Sequence, residues 1–180
     1  MVGLAARRIG TVGRQRVLVV LALSALVCLA GCRVPSPPSW QVVRVDDGDT
    51  VVLRNGEGET RFRLAGIDAP EQDQPFGPEA RRMLAELLES GPIAVDARGE
   101  DRYGRTVAVL YVGYTNVNET MVSRGGAWWF EPCARGNVAL ERLQAGARSR
   151  RLGLWGAGEP PVPPWEWRSA KHERDAGQSR

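Results

Sequence analysis

Three short stretches of the sequence combine carboxylates with arginines at spacings that suit chemistry on a phosphate group. They are residues 47–50 (DGDT), 63–71 (RLAGIDAPE) and 101–105 (DRYGR). Two carboxylates that converge repel each other unless a cation or a proton neutralises them, and their hard oxygens favour Ca²⁺ or Mg²⁺. We therefore expect Asp49 and Asp68 to form a metal site if the fold brings the first two stretches together.

Each stretch by itself is weak evidence for a site. Asp-Gly is common in tight turns, and a solvated aspartate needs no metal. Glu71 beside a metal can orient or deprotonate a water molecule, whereas Glu71 alone would be an ordinary surface glutamate. Only the combination of two aspartates, a glutamate and two arginines indicates catalysis.

Arg63 and Arg105 supply the positive charge that such a site needs. If the apolar neighbours Phe62 and Leu64 face the core, Arg63 faces away from it, on the strand that leads to Asp68. A fixed guanidinium can bind a phosphate with two donors. Arg105 follows a glycine that lets the backbone turn, so both arginines can face the metal. There they would stabilise the negative charge that develops during phosphodiester hydrolysis.

The elements that would position these residues follow from the local patterns. Residues 40–45 and 50–53 flank an Asp-Gly turn and predict a hairpin, and the alternating residues 60–64 predict a third antiparallel strand. Further along, the pattern predicts two strands, at 93–97 and 106–112, and three helices, at 77–90, 118–124 and 138–151. This order predicts an α+β, mainly β, fold: a five-stranded barrel of the oligonucleotide/oligosaccharide-binding (OB) kind with about three helices.

The N-terminal segment is typical of an export signal. Residues 1–31 contain four arginines and then an apolar run from Val17 to Leu29, which is too short for the roughly 20 residues that span a bilayer. Small residues before Cys32 make the segment resemble a bacterial lipoprotein signal, in which the cysteine becomes the lipidated first residue. The alternative is a plain secretory signal or an uncleaved anchor.

Composition changes mark the remaining boundaries. Residues 32–39 contain three prolines and predict a tether that starts at the lipidated cysteine. Residues 40–158 form the predicted folded domain, and residues 159–180 form a polar tail rich in proline and tryptophan.

Composition also excludes several classes of protein. The 180 residues are 43% hydrophobic, which excludes disorder throughout, and the three cysteines are too few for a disulfide-rich scaffold. The only histidine, His172, cannot by itself supply a zinc or non-haem iron site or activate Cys133 as a nucleophile. The net charge of +3 includes the four arginines of residues 1–31, so the rest carries −1, and overall basicity does not argue for nucleic-acid binding.

All three stretches resemble the staphylococcal-nuclease-like, or thermonuclease, family, in the same order and at comparable spacing. The likeness extends from about Val42 to Trp155. It implies a five-stranded OB-fold barrel with three helices and a Ca²⁺-dependent enzyme that cleaves DNA and RNA to leave 3′-phosphates.

The resemblance also assigns roles residue by residue. It implies that Asp49 and Asp68 bind calcium directly and that Asp47 lies behind them. Ala69 stands where the family has a threonine whose backbone carbonyl binds the ion. The remaining implied roles are general base or water-orienting group for Glu71, phosphate binding for Arg63 and Arg105, and nucleotide contact for Arg102 and Tyr103. Trp129 is a further candidate for the nucleotide wall, although an aromatic cluster is more often part of a core.

We therefore expect a membrane-anchored nuclease that faces the extracytoplasmic side of a bacterial cell envelope. Its partners would be a DNA or RNA substrate and the membrane, through Cys32, and we expect a monomer. One alternative is a non-catalytic OB-fold module that binds nucleic acid without cleaving it. Another is a lipid-anchored scaffold whose tail docks a partner protein.

Overall fold

The computed structural model describes residues 40–156 and 158–178. The predicted signal and tether, with Cys32, lie outside the described residues, so the lipoprotein interpretation stays a prediction. Among the described helices, none is both long enough and apolar enough to cross a membrane.

Three antiparallel strands form the first half of the sheet, as the sequence predicts. They are β1 (Gln41–Val45), β2 (Thr50–Asn55) and β3 (Gly58–Leu64). The first four residues of β2 are buried, and β-branched residues dominate them, which suits a central strand. The register places Thr50 opposite Arg63, so the turn before β2 lies beside the end of β3.

The second half of the sheet is β5 (Ile93–Glu100) and β6 (Thr106–Val112), joined to the first half by parallel pairing of β3 with β6. The five long strands follow the order β1-β2-β3-β6-β5. In the described residues a single bridge, Trp40 to Ile93, links the outer segments, so the predicted barrel is not closed by continuous strand pairing. Three two-residue strands complete the set: β4 (Ile67–Asp68), β7 (Thr115–Asn116) and β8 (Trp128–Trp129).

Four helices occur in the described residues, against about three predicted. They are α1 (Gly77–Glu89), α2 (Val117–Ser123), α3 (Val138–Ser149) and α4 (Pro164–Gln178). The side chains of Asn116 and Asn137 accept backbone N–H groups at the starts of α2 and α3, which stabilises both termini. The fourth helix, α4, lies in the segment that the sequence set apart as a polar tail.

The core lies between the sheet and the first two helices. Its largest fully buried side chains come from β2, β3, β4, β6, α1 and α2, and they include Leu53, Phe62, Leu64, Ile67, Leu84, Leu88, Leu110 and Met121. Because Phe62 and Leu64 are buried on β3, Arg63 between them faces the other side of the strand, as predicted.

A buried asparagine ties α2 to the sheet. The Asn118 side-chain oxygen accepts the backbone N–H of Leu110 at 3.1 Å. Its amide nitrogen donates to the carbonyls of Ala65, at 3.0 Å, and Ala108, at 3.2 Å. Ala65 lies in the turn from β3 to β4, so Asn118 also helps to hold the strand that carries Asp68.

Candidate active site

Two buried carboxylates meet where β2, β3 and β4 come together. Asp49 precedes β2 and Asp68 ends β4, and these residues are 4% and 2% exposed. Arg63 bridges them, with Nη1 3.0 Å from Asp49 Oδ2 and Nη2 2.8 Å from Asp68 Oδ1. The structure therefore brings together three of the predicted site residues, from three different elements.

The turn before β2 fixes the orientation of Asp49. The Asp49 backbone N–H donates to Asp47 Oδ1 at 2.9 Å, which closes the turn. The backbone N–H of Ala69 donates to Asp49 Oδ2 at 2.6 Å and links the turn to the residue after β4. Gly48 permits this approach, because a Cβ there would lie 2.7 Å from the Ala69 Cβ and 2.8 Å from the Ala80 Cβ.

Burial makes two of the aspartates at the site harder to ionise. Burial, with the nearby charge of Asp49, raises the pKa of Asp47 to about 7. Burial also raises the pKa of Asp68, although hydrogen bonding from Arg168 and the charge of Arg63 oppose the shift. A cation near Asp47 and Asp68 would favour the charged forms of these two carboxylates.

Glu71 lies in a tight loop between β4 and α1. Its backbone N–H donates to Gln74 Oε1 at 3.1 Å, and its carbonyl accepts the N–H of Gln74 at 3.0 Å. Gly77 packs so closely that a Cβ there would lie 1.9 Å from the backbone oxygen of Glu71. Only glycine fits at position 77 without displacing the loop.

A residue that sequence reasoning missed, Arg168 of α4, joins the carboxylates. Its Nη1 lies 2.6 Å from Glu71 Oε1, and its Nη2 lies 2.8 Å from Asp68 Oδ2. Burial lowers the pKa of Arg168, but hydrogen bonds to both carboxylates outweigh burial and raise it. Two tryptophans beside it in an otherwise polar segment were the available signal that this region packs onto the domain.

Arg105 and its neighbours pair within the loop between β5 and β6. The Arg105 Nε lies 2.8 Å from Asp101 Oδ2, and its backbone N–H donates to Asp101 Oδ1 at 3.0 Å. Burial raises the pKa of Asp101, but these hydrogen bonds outweigh it and lower the pKa below its ordinary value. Tyr103 is 68% exposed and lies under the guanidinium groups of Arg102 and Arg105. Among the described ion pairs, Arg105 therefore pairs with Asp101 and not with the carboxylates at the end of β4, and residues 101–105 form a separate, more exposed cluster.

The contacts of Trp129 are those of a residue that packs within the fold. Its indole N–H donates to the carbonyl of Ala134 at 3.2 Å, its backbone N–H donates to Gln144, and its ring packs against the core. Because β8 pairs with β4, Trp129 also braces the strand that ends at Asp68. Cys133 is an exposed free thiol that follows this segment.

The donor set fits a hard divalent cation at the Asp49–Asp68 pair. Both side chains are carboxylates, both are nearly fully buried, and together they offer four oxygens of the kind that Ca²⁺ prefers. Within residues 40–156 and 158–178, no group of three or more acidic, histidine or cysteine side chains is assembled around one point. Such an ion would therefore need further oxygens from the backbone or from water.

Comparison with known proteins places these residues in a family context. A family model described as staphylococcal nuclease homologue matches residues 61–157, a range that includes Arg63, Asp68, Glu71 and Arg105. The chain is 36% identical over 180 aligned residues to Protein ParB of Escherichia coli, covering 91% of this chain and 99% of that protein. It is 38% identical over 167 residues to a micrococcal nuclease of Shigella flexneri, covering 83% and 95%. It is 34% identical over 155 residues to an uncharacterized endonuclease of Haemophilus influenzae, covering 86% and 85%.

Proposed function

Since the chain belongs to the staphylococcal nuclease family and is a nuclease, we propose that it hydrolyses phosphodiester bonds of DNA, RNA or both in a Ca²⁺-dependent reaction. One observation carries this proposal: Arg63 bridges two buried carboxylates within a contact network that reaches Glu71 through Arg168. In this proposal the network would bring together a cation site at Asp49 and Asp68, a base at Glu71 and a phosphate-binding group at Arg63.

Asp49 and Asp68 would hold the ion, with Asp47 supporting the turn and the Ala69 carbonyl as a further oxygen. When bound there, Ca²⁺ supplies positive charge to the scissile phosphate. Arg63 contacts both aspartates and Arg168 contacts Asp68, so the guanidinium groups also balance negative charge at this position.

Glu71 is the proposed group that orients or deprotonates the attacking water. The contacts of its backbone to Gln74 and Gly77 hold it in a fixed loop, so the carboxylate is presented from a rigid support. A carboxylate in that position contributes to the rate by holding a water molecule in line and accepting its proton at Oε1 or Oε2.

Arg63 would bind the phosphate and stabilise its developing negative charge. Its side chain is 16% exposed, so substrate can reach the guanidinium while the strand holds it in place. We assign Arg105 the same task from the neighbouring loop and assign Arg102 and Tyr103 to nucleotide contact. Substrate binding would depend on contacts between these arginines and phosphate groups. We therefore expect substrate affinity to fall as the salt concentration rises.

We further propose that the enzyme works as a monomer at the extracytoplasmic side of a bacterial envelope, anchored through lipidated Cys32. The charge pattern of residues 1–31 and the small residues before Cys32 support this placement. Fractionation of cells that express wild type or Cys32→Ser tests it. We expect the wild type in the membrane fraction and the variant outside it, and equal distributions would contradict the anchor.

Cleavage of end-labelled single-stranded and double-stranded DNA and RNA tests the proposed reaction. We expect cleavage with Ca²⁺, loss of cleavage with a chelator, and products that carry 3′-phosphates. Asp68→Asn should reduce the rate by about 100-fold or more. Asp96→Asn is the matched control, because that aspartate pairs with Arg98 on an exposed stretch of β5. Cleavage that persists in the chelator or in Asp68→Asn would overturn the proposal.

A further inference from the structure

Helix α4 delivers a guanidinium to the carboxylates of the site from the far end of the chain. Arg168 forms a two-pronged contact with Asp68, with Nη2 at 2.8 Å from Oδ2 and Nη1 at 3.3 Å from Oδ1, and it also contacts Glu71. Its side chain is 39% exposed, compared with 2% for Asp68. The guanidinium therefore lies between the buried carboxylate of Asp68 and solvent.

Aromatic packing holds the start of α4 in place. The ring of Trp165 lies 5.7 Å from that of Trp128 and 5.5 Å from that of Phe130, between centroids. Pro164, the first residue of α4, is buried. These contacts come from the segment around β8, which itself pairs with the strand that carries Asp68.

Polar contacts hold α4 to the loop of Glu71 on both sides of Arg168. Gln74 Nε2 donates to the carbonyl of Val162 at 2.6 Å, before the helix begins. Directly before Arg168, the Trp167 indole N–H donates to Asp73 Oδ1 at 3.3 Å, and beyond Arg168 Lys171 Nζ lies 2.6 Å from Asp73 Oδ2. The position of Arg168 is thus set by neighbours on either side and does not depend on its own ion pairs alone.

The open side of the guanidinium is suited to a phosphate. An arginine has five N–H donors in a planar fork, and the contacts of Arg168 to Asp68 and Glu71 use only the two terminal nitrogens. Its Nε has no hydrogen bond to any residue in the described part of the chain. Glu71, a partner of Arg168, and Lys171, one helical turn further along α4, both line an open polar cavity of about 580 Å³.

We propose that Arg168 is a phosphate-binding residue of the nuclease site, oriented by Asp68 and Glu71 and supplied by the C-terminal helix. This assignment rests on the proposed nuclease function and adds a third arginine to Arg63 and Arg105. The opposite role would be a plug that α4 inserts to block the carboxylates. The exposure of the guanidinium and the unused Nε favour binding over blocking, and the two roles predict changes of opposite sign.

Binding of a labelled single-stranded oligonucleotide in chelator tests the proposal without cleavage. Loss of one charge-assisted contact in Arg168→Met should raise Kd about tenfold. It should also reduce the slope of log Kd against log salt by about 0.7. Arg168→Lys keeps the charge without the fork, so its Kd should be intermediate. Arg174→Met is the matched control, because it removes a guanidinium from the same helix that contacts only the Trp167 ring in the described contacts.

Kinetics in Ca²⁺ separate this inference from the proposed function. If wild type cleaves and Arg168→Met raises KM more than it lowers kcat, both stand. If wild type cleaves but Arg168→Met matches Arg174→Met in Kd, salt slope and KM, the assignment of Arg168 is overturned and the nuclease function stands. Tighter binding or faster cleavage by Arg168→Met would also overturn it, in favour of a plug. If wild type fails to cleave any substrate, the proposed function fails whatever the binding data show.

Discussion

Replacement of Arg63 by methionine removes the only group that contacts both Asp49 and Asp68 among the described ion pairs. Methionine keeps an unbranched side chain of moderate size and removes the charge. The two carboxylate side chains are 6% and 2% exposed, so water cannot replace the lost guanidinium without a structural change.

The expected loss of stability depends on the contacts that each carboxylate keeps in the variant. Asp68 retains its contacts with Arg168, and Asp49 retains the backbone N–H of Ala69. Breaking a buried ion pair typically costs about 3–5 kcal/mol of stability. Because these partners remain, we expect Arg63→Met to lower the free energy of unfolding by about 3 kcal/mol. The hydrogen bond from Arg63 Nη1 to the Leu64 carbonyl, at 3.0 Å, is lost as well.

Urea unfolding in the presence of a chelator measures this cost, because no metal ion can then compensate for the lost charge. Arg105→Met is the control, since its ion pair with Asp101 is more exposed, at 22% and 19%, and should be worth less than about 1 kcal/mol. Both variants should lose cleavage activity, but only Arg63→Met should lose stability. An unfolding free energy for Arg63→Met within about 1 kcal/mol of wild type would refute the reasoning about buried charge.

Three further outcomes test how the fold supports the site. Asn118→Ala removes three hydrogen bonds and leaves a buried N–H of β6 unpaired. Its unfolding free energy in urea should therefore fall by about 3 kcal/mol, and a fall below about 1 kcal/mol would contradict this. Gly77→Ala should cost about 1–3 kcal/mol through overpacking and should lower kcat by displacing Glu71. In Gly56→Ala the added Cβ meets no atom within 4 Å, so neither stability nor kcat should fall. Equal kcat values for the two alanine variants would contradict the claim that the loop positions Glu71. Trp165→Ala removes the packing at the start of α4, so limited proteolysis should cut the C-terminal segment faster. Equal cleavage of variant and wild type would mean that the helix is held by other contacts.

Much of the fold was predictable because its signals are local. The alternation of polar and apolar residues around Phe62 predicts the buried face of β3 and the outward direction of Arg63. The Asp-Gly turn before β2 fixed the first hairpin. The first two stretches then allowed Asp49, Asp68 and Arg63 to be grouped, and the structure joins all three residues. Closure of the barrel was overestimated, because strand pairing at the outer edges depends on side-to-side packing that periodicity does not report.

The role of the C-terminal segment was not predictable in the same way. Helix α4 is polar, with buried contacts confined to a few positions near its start, so hydrophobic periodicity is weak there. The contact between Arg168 and Asp68 joins residues 100 positions apart. Only the tertiary structure shows that the helix reaches the site. The interaction of Arg105 with Asp101 is local in sequence and competes with the predicted approach of Arg105 to the carboxylates.

The rate of phosphodiester cleavage by Glu71→Gln at saturating Ca²⁺ and excess enzyme tests the site most directly. Glutamine keeps the shape of the side chain and its capacity to accept a hydrogen bond, but it cannot accept a proton from water. The single-turnover rate constant should fall by about 100-fold or more, while the urea unfolding midpoint changes little. A Glu71→Gln enzyme that folds normally and cleaves DNA and RNA at the wild-type rate would contradict the assignment of this carboxylate cluster as the catalytic centre.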